Sequence, residues 1–121
     1  MAKILFIDDD IATLLLMEKA AELLGHLAIL SASPREALDI AVRQQPDVIL
    51  IDHQLQDMDG CNLIEGLRQQ AGLAHTPVYL VSASISAVEQ ECARQAGASG
   101  FLHKPVSLSS LAGVIQGDGK E

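Results

Sequence analysis

Aromatic side chains are scarce in this chain. Only 2% of its 121 residues are aromatic, and Trp is absent. The hydrophobic core must therefore be filled by Leu, Ile, Val and Ala, which suits helices layered on a sheet. A chain of this length forms one domain, and such a domain buries roughly two thirds of its unfolded surface, so a single core is sufficient.

Cysteines, basic side chains and long apolar runs are also few. Cys61 and Cys92 are too few for a disulfide framework or a zinc site, so we expect two reduced thiols and a cytoplasmic location. The formal net charge of −8 repels phosphate backbones and disfavours direct contact with nucleic acid. No run approaches the roughly 18 apolar residues of a membrane span, so we expect no membrane association.

Short apolar runs alternate with helical spacing along the whole chain. The runs predict strands at residues 3–7, 27–30, 47–51, 76–81 and 101–103, and each is followed by apolar residues at helical spacing. Pro34, directly after Ser33, begins the second helix, and Ser107 caps the fifth. This α/β alternation predicts a doubly wound parallel sheet with helices on both faces. We expect one domain over residues 1–116 and a flexible tail or linker over 117–121.

Charged side chains stand where three of the predicted strands end. Asp8 and Asp9 follow the first strand, Asp52 the third and Lys104 the fifth. Ligand sites in open α/β sheets lie at the carboxyl ends of the strands. An Asp can accept a phosphoryl group as an acyl phosphate, provided that a divalent cation and an ammonium group offset the charge. The pattern predicts this chemistry at one edge of the sheet.

The same residues carry a resemblance to a known family. The sequence resembles the receiver domain of two-component response regulators, of the chemotaxis-regulator kind, over essentially its whole length. The resemblance rests on segments 7–9, 52 with 58–60, 81–83, 96–98 and 104–105, all in the family's order and approximate spacing. It implies a flavodoxin-like fold with five parallel strands in the order 2-1-3-4-5.

The resemblance also implies how the site works. Asp52 would accept phosphate from a histidine kinase or a histidine phosphotransfer protein. Mg²⁺ would be held by Asp8, Asp9, Asp52 and the backbone carbonyl of Gln54, with Asp8 acting largely through bound water. Lys104 would pair first with Asp52 and then with the phosphoryl group. The chain would catalyse its own phosphorylation and slow dephosphorylation without being an enzyme for an external substrate.

A conformational switch is implied as well. Ser82 stands at the family's hydroxyl position and Phe101 at its aromatic switch position, while Pro105 is expected to follow a cis peptide bond. Phosphorylation would draw Ser82 to the phosphoryl group, let Phe101 turn inward and reshape the face of the fourth helix, fifth strand and fifth helix. That face would bind a downstream protein target or an attached output domain.

Other interpretations of these residues remain open. Asp8, Asp9 and Asp10 could serve only as helix caps, and Asp52 could merely start a loop. Lys104 could be a solvated surface lysine, Ser82 a simple loop hydroxyl and Phe101 a plain core aromatic. Asp57 and Asp59 are expected to shape the loop and cap the third helix. Structural or solvent roles are expected for the four histidines, which are His26, His53, His75 and His103.

Two other functional classes share parts of this pattern. A phosphate-independent interaction module is disfavoured by the intact set of three carboxylates and a lysine. A magnesium-dependent phosphohydrolase is disfavoured because Gln54 stands where such enzymes place a general acid. Two positions depart from the receiver pattern: Gln56 replaces a common proline, and Ser82 replaces a common threonine without losing the hydroxyl.

Overall fold

The protein is described by a computed structural model that covers residues 1–55, 58–84 and 86–116. Gln56, Asp57, Ile85 and the predicted tail at 117–121 lie outside the described residues. Strands and helices alternate strictly along the described chain. The elements are β1 (Lys3–Ile7), α1 (Ile11–Leu23), β2 (Leu27–Ser31), α2 (Pro34–Gln44), β3 (Val48–Asp52), α3 (Gly60–Arg68), β4 (Val78–Ser82), α4 (Ala87–Ala96), β5 (Gly100–His103) and α5 (Leu108–Ile115).

The five strands form one sheet in the order β2-β1-β3-β4-β5, and all four pairings are parallel. The predicted fold and strand order are therefore confirmed. Crossover helices join parallel strands because a tight hairpin cannot. The order reverses after β1, so the central strands β1 and β3 end side by side at one edge of the sheet.

Both faces of the sheet are covered, which explains the continuous apolar runs in the central strands. Alternate side chains point to opposite faces, so Leu5 and Ile7 join a core with α2, α3 and α4, whereas Ile4 and Phe6 join a second core with α1 and α5. Both cores consist largely of aliphatic side chains, as the shortage of aromatics requires.

Local signals in the sequence fix most helix ends. The Ser33 side chain accepts a hydrogen bond from the backbone N–H of Glu36, with Pro34 at the first helical position, and Ser107 caps α5 through Ser110. Gly97 ends α4 with a φ of 106°, a conformation that glycine adopts without the steric cost of a Cβ.

Helical spacing predicted α1 but not which of its faces is buried. Leu14 is buried against the sheet, whereas Ile11, Leu15 and Leu16 are 58%, 55% and 71% exposed. The helix is apolar around most of its circumference, so its sequence pattern carries little information about orientation. A row of exposed apolar side chains remains on the outside of α1.

The prediction that Cys61 and Cys92 are reduced thiols is wrong for this structure, which joins them in a disulfide. Their Cα atoms lie 6.2 Å apart across the contact between α3 and α4. The two residues are 31 positions apart in the chain, so only the packing of the two helices brings them together.

Among the residues that the structure describes, no helix combines the length and the apolar character needed to cross a bilayer.

Candidate functional site

The carboxyl ends of four strands meet at one edge of the sheet and carry the candidate site. Asp52 and Ser82 are the last residues of β3 and β4, while Asp8 and Lys104 directly follow β1 and β5. Parallel pairing aligns these ends. The backbone therefore places the predicted residues in one cleft.

Three carboxylates form the acidic part of the cleft. Asp8, Asp9 and Asp52 each place an oxygen within 4.8 Å of the others. Asp8 and Asp52 are only 6% and 8% exposed. A hydrogen bond of 2.9 Å from the backbone N–H of Asp10 fixes Asp8 Oδ1. The arrangement concentrates negative charge where little water can screen it.

Lys104 supplies the positive charge. Its Nζ lies 2.9 Å from Asp52 Oδ1 and 3.4 Å from Asp8 Oδ2. The backbone N–H of Lys104 donates to the carbonyl of Ser82 at 3.0 Å, and the bond between Lys104 and Pro105 is cis as expected. The β5 end thus holds the ammonium group directly over the acidic cluster.

The electrostatics of the cleft are unbalanced. Burial raises the pKa of Asp8, and repulsion from Asp52 adds to this, outweighing the attraction of Lys104 and the hydrogen bond from Asp10. Burial by itself would lower the pKa of Lys104, but hydrogen bonding to Asp52 and attraction to both carboxylates raise it. One ammonium group therefore does not fully compensate the clustered carboxylates.

This donor set fits Mg²⁺. Carboxylate oxygens are the ligands that the ion prefers, and the three acids converge on one point of the cleft. The raised pKa of Asp8 shows that its ionised form lacks compensation, which a bound cation would supply. Gln54 lines the same cleft together with Asp52 and Lys104.

Gly60 lets the start of α3 lie close to the end of β3. The backbone N–H of Gly60 donates to the carbonyl of His53 at 3.1 Å. A Cβ at this position would lie 3.0 Å from the backbone oxygen of Asp52 and 2.8 Å from the Leu80 side chain. Asp59 begins α3 by accepting from the Cys61 N–H at 2.8 Å, as predicted. Only glycine, which has no Cβ, allows the backbone at position 60 to approach Asp52 and Leu80 this closely.

The two predicted switch residues occupy different surroundings. Ser82 is 7% exposed, and its hydroxyl donates to the carbonyl of Ser84 at 2.9 Å, inside the cleft that also contains Asp52 and Lys104. Phe101 is half-buried and packs against the core on the α4 side of the sheet. It also lines a groove of about 280 Å³ between α4 and β5.

Sequence reasoning missed one contact at this site. His53, expected to have a structural or solvent role, places Nε2 2.7 Å from Glu89 Oε2. Glu89 also accepts a hydrogen bond from the backbone of Ser86, which completes a capping box at the start of α4. The Ser86-to-Glu89 spacing signals the cap. Nothing local signals the contact with His53, because it joins two segments distant in sequence.

Comparisons with known proteins agree with this geometry. The sequence model of the family described as "Response regulator receiver domain" matches residues 4–116. The chain is 31% identical over 113 residues to the polar-differentiation response regulator DivK of Brucella ovis, covering 93% of this chain and 92% of the relative.

Solved structures give the same result. The chemotaxis protein CheY4 of Vibrio cholerae superposes with a TM-score of 0.91 at 28% identity, covering 96% of this chain and 97% of the other. The receiver domain of the sensor histidine kinase PA1611 of Pseudomonas aeruginosa gives a TM-score of 0.88 at 27% identity, with coverages of 99% and 98%. That structure has a magnesium ion coordinated in its active site cleft.

Proposed function

Because the chain belongs to the response regulator receiver family, whose members are phosphorylation-activated signalling switches, we propose that Asp52 is its phosphoryl acceptor. The observation that carries this assignment is the position of Asp52 between the ammonium of Lys104, at 2.9 Å, and the carboxylates of Asp8 and Asp9. The donor of the phosphoryl group would be a phosphohistidine of a histidine kinase or histidine phosphotransfer protein.

Each residue of the cleft has its own role in phosphoryl transfer. An oxygen of Asp52 attacks phosphorus, so an O–P bond forms while the N–P bond to the donor imidazole breaks. Asp8, Asp9, Asp52 and the carbonyl of Gln54 would hold Mg²⁺, which would supply charge neutralisation for the phosphoryl oxygens. Lys104 leaves Asp52 and pairs with a phosphoryl oxygen. Later attack by water on phosphorus releases inorganic phosphate and restores the carboxylate.

The signal passes from the new phosphoryl group through Ser82. Phosphorylation adds strong acceptor oxygens at the sheet edge. The hydroxyl of Ser82, which donates to Ser84 in this structure, then donates to one of them. Its departure opens space for Phe101, whose groove already adjoins α4. The face of α4, β5 and α5 changes, and it binds a downstream protein or an attached output domain.

A phosphodonor protein fits the apolar side of the cleft. A cavity of about 410 Å³ runs from Leu16 and Met17 on α1 to Asp52 and Lys104. It continues the row of exposed apolar side chains on α1, among them Ile11 and Leu15. A donor that buries this surface brings its phosphohistidine to Asp52, so the surface and the acceptor serve the same partner.

We propose a cytoplasmic location for this exchange. The chain has two cysteines rather than a disulfide framework, and single disulfides in cytosolic proteins are usually transient and redox-sensing. Cell fractionation with an antibody against the native chain tests the location.

The acceptor is tested with a small acyl-phosphate donor and Mg²⁺. The wild type is expected to gain one phosphoryl group by intact mass, and Asp52→Asn none, because the amide is not a nucleophile of comparable strength. Asp39→Asn is the matched control, since that carboxylate is 72% exposed on α2 and should not matter. Phosphorylation of Asp52→Asn at the wild-type rate would refute the assigned acceptor. No gain in the wild type would favour a phosphate-independent interaction module.

A further inference from the structure

The disulfide joins the start of α3 to α4, a helix of the proposed output face. Cys61 is the second residue of α3, directly after the loop that begins at Asp52, and Cys92 lies in the middle of α4. We propose that Cys61 and Cys92 form a reversible redox modification site that gates the switch. The bridged form holds α4 in its resting position, and the reduced form releases it. This inference rests on the proposed function of Asp52.

The packing of the two helices favours a bridge at this place. The Cα separation of 6.2 Å falls within the range of about 4.4–6.8 Å found for disulfides. Cys61 is 3% exposed and belongs to the core under α3 and α4. α3 and α4 are in direct contact. The packing of α3 against α4 therefore keeps the two cysteines at a Cα separation that a disulfide can span.

A second contact also holds α4. His53, the neighbour of Asp52, meets Glu89 in the first turn of α4 at 2.7 Å. The two side chains are only 15% and 20% exposed, so the contact is largely shielded from solvent. The first turn of α4 is thus held to the loop after β3 by His53, and its middle is held to the start of α3 by the disulfide. If α4 moves, the contact between His53 and Glu89 must break. The disulfide between Cys61 and Cys92 opposes the same movement.

The bridge coexists with the resting arrangement of the site. In this structure Lys104 pairs with Asp52, and the Ser82 hydroxyl donates to Ser84. A crosslink that fits one of two states stabilises that state relative to the other. Oxidation should therefore disfavour the phosphorylated arrangement, in which Ser82 and the start of α4 move. Reduction removes that bias.

The chemistry requires only a low-molecular-weight disulfide such as oxidised glutathione. The thiolate of one cysteine attacks a glutathione sulfur, which forms a mixed disulfide and releases one glutathione thiolate. The second cysteine thiolate then displaces the other glutathione. Two protein thiols lose two electrons and two protons, and the two glutathione sulfurs gain them. The reverse exchange with reduced glutathione restores both thiols.

The experiment compares affinity for a phosphoryl analogue in the two redox states. Beryllium trifluoride with Mg²⁺ is titrated into fully reduced and fully oxidised protein, and thiols are counted by alkylation and intact mass. We expect at least threefold weaker binding to the oxidised protein. By linkage, saturating analogue should make oxidation by glutathione harder by the same factor. Cys92→Ser should bind the analogue equally under both conditions.

The possible failures are distinguishable. Equal affinities in the two states, or two alkylatable thiols remaining after oxidised glutathione, would overturn the redox inference and leave the proposed function intact. A reduced protein that binds no analogue would overturn the proposed function and the inference together. Because the decisive comparison uses wild-type protein, it does not depend on whether a cysteine variant folds.

Discussion

Lys104 is the residue on which the charge balance of the cleft depends. Its ammonium group contacts both Asp52 and Asp8, at 2.9 and 3.4 Å. It is the cation positioned to meet a phosphoryl group on Asp52. Cation binding needs only the carboxylates, whereas phosphoryl transfer also needs a positive charge near the phosphoryl group. Removing Lys104 should therefore affect transfer without preventing cation binding.

Replacing Lys104 with Met should slow phosphorylation by a small donor roughly 10²-fold, the usual cost of losing one such charge-stabilising group. Mg²⁺ affinity should rise, because a repelling positive charge leaves the neighbourhood of Asp8 and Asp52. Rates come from intact mass and affinity from calorimetry. Lys19→Met is the matched control, since Lys19 is 72% exposed on α1. A Lys104 variant with an unchanged rate would contradict the role.

At the residue scale, the sequence predicted the positions of the acidic cluster and of Lys104. These side chains follow apolar runs, and parallel pairing brings such positions together whatever the details of packing. The contact between His53 and Glu89 and the bridge from Cys61 to Cys92 were not predictable in the same way. The first depends on how α4 lies against the residue after β3, and the second on how α4 lies against α3, and no local pattern records either arrangement.

At the scale of elements, Gly60 connects the end of β3 to the start of α3. Its small size lets the loop fold back on Asp52, where a Cβ would meet backbone at 3.0 Å and the buried Leu80 at 2.8 Å. Backbone atoms cannot move aside as easily as the end of a flexible side chain can. A larger residue at position 60 must therefore displace backbone next to Asp52, the proposed acceptor.

Gly60→Ala should lower the free energy of unfolding by about 1–3 kcal/mol, as overpacking a tight site does. It should also slow phosphorylation, since the loop carries Gln54. Gly113→Ala is the matched control: among the described residues, apart from its chain neighbours and the backbone of its own helix, no atom lies within 4 Å of its Cβ position in α5. The change should therefore stabilise the fold by about 0.5–1 kcal/mol. Urea unfolding measures both. Equal effects of the two variants would show that close approach at Gly60 is unimportant.

Element boundaries show the limits of sequence patterns. The strands β3 and β4 begin and end one or two residues later than predicted, because a strand extends as far as its neighbour pairs with it. The sequence predicts a helix over residues 87–96 with Val88, Cys92 and Ala96 on one apolar face, and the bounds of α4 agree because Ser86 and Gly97 cap its two ends. The predicted face is only partly confirmed, because Ala96 is buried while Val88 is 79% exposed.

On the scale of the whole molecule, the charge of Asp8 opposes folding at neutral pH. Burial and repulsion raise the pKa of Asp8 above its ordinary value of 3.8. The folded state therefore binds a proton at Asp8 more tightly than the unfolded state does. The stability from this group is fully present below pH 3.8 and is lost as the pH rises through the raised pKa. At neutral pH ionised Asp8 destabilises the fold.

This imbalance predicts opposite effects of Asp8→Asn with and without Mg²⁺. In a chelator at pH 7 the variant should be more stable than the wild type by about 1 kcal/mol, or a few degrees in Tm. Mg²⁺ at 100 times its Kd should stabilise the wild type by about 2.7 kcal/mol and the variant much less. Sodium chloride at equal ionic strength is the control. It would stabilise the wild type as strongly as Mg²⁺ does if general charge screening were the cause.

The pH dependence separates this explanation from a packing effect. As the pH falls towards 4 in the chelator, the advantage of Asp8→Asn should shrink, since protonation removes the charge from the wild-type side chain as well. Thermal unfolding followed by circular dichroism across this range measures the difference in Tm. A difference that stays constant with pH, or a variant that Mg²⁺ stabilises as strongly as the wild type, would show that the charge of Asp8 is not what binds the cation.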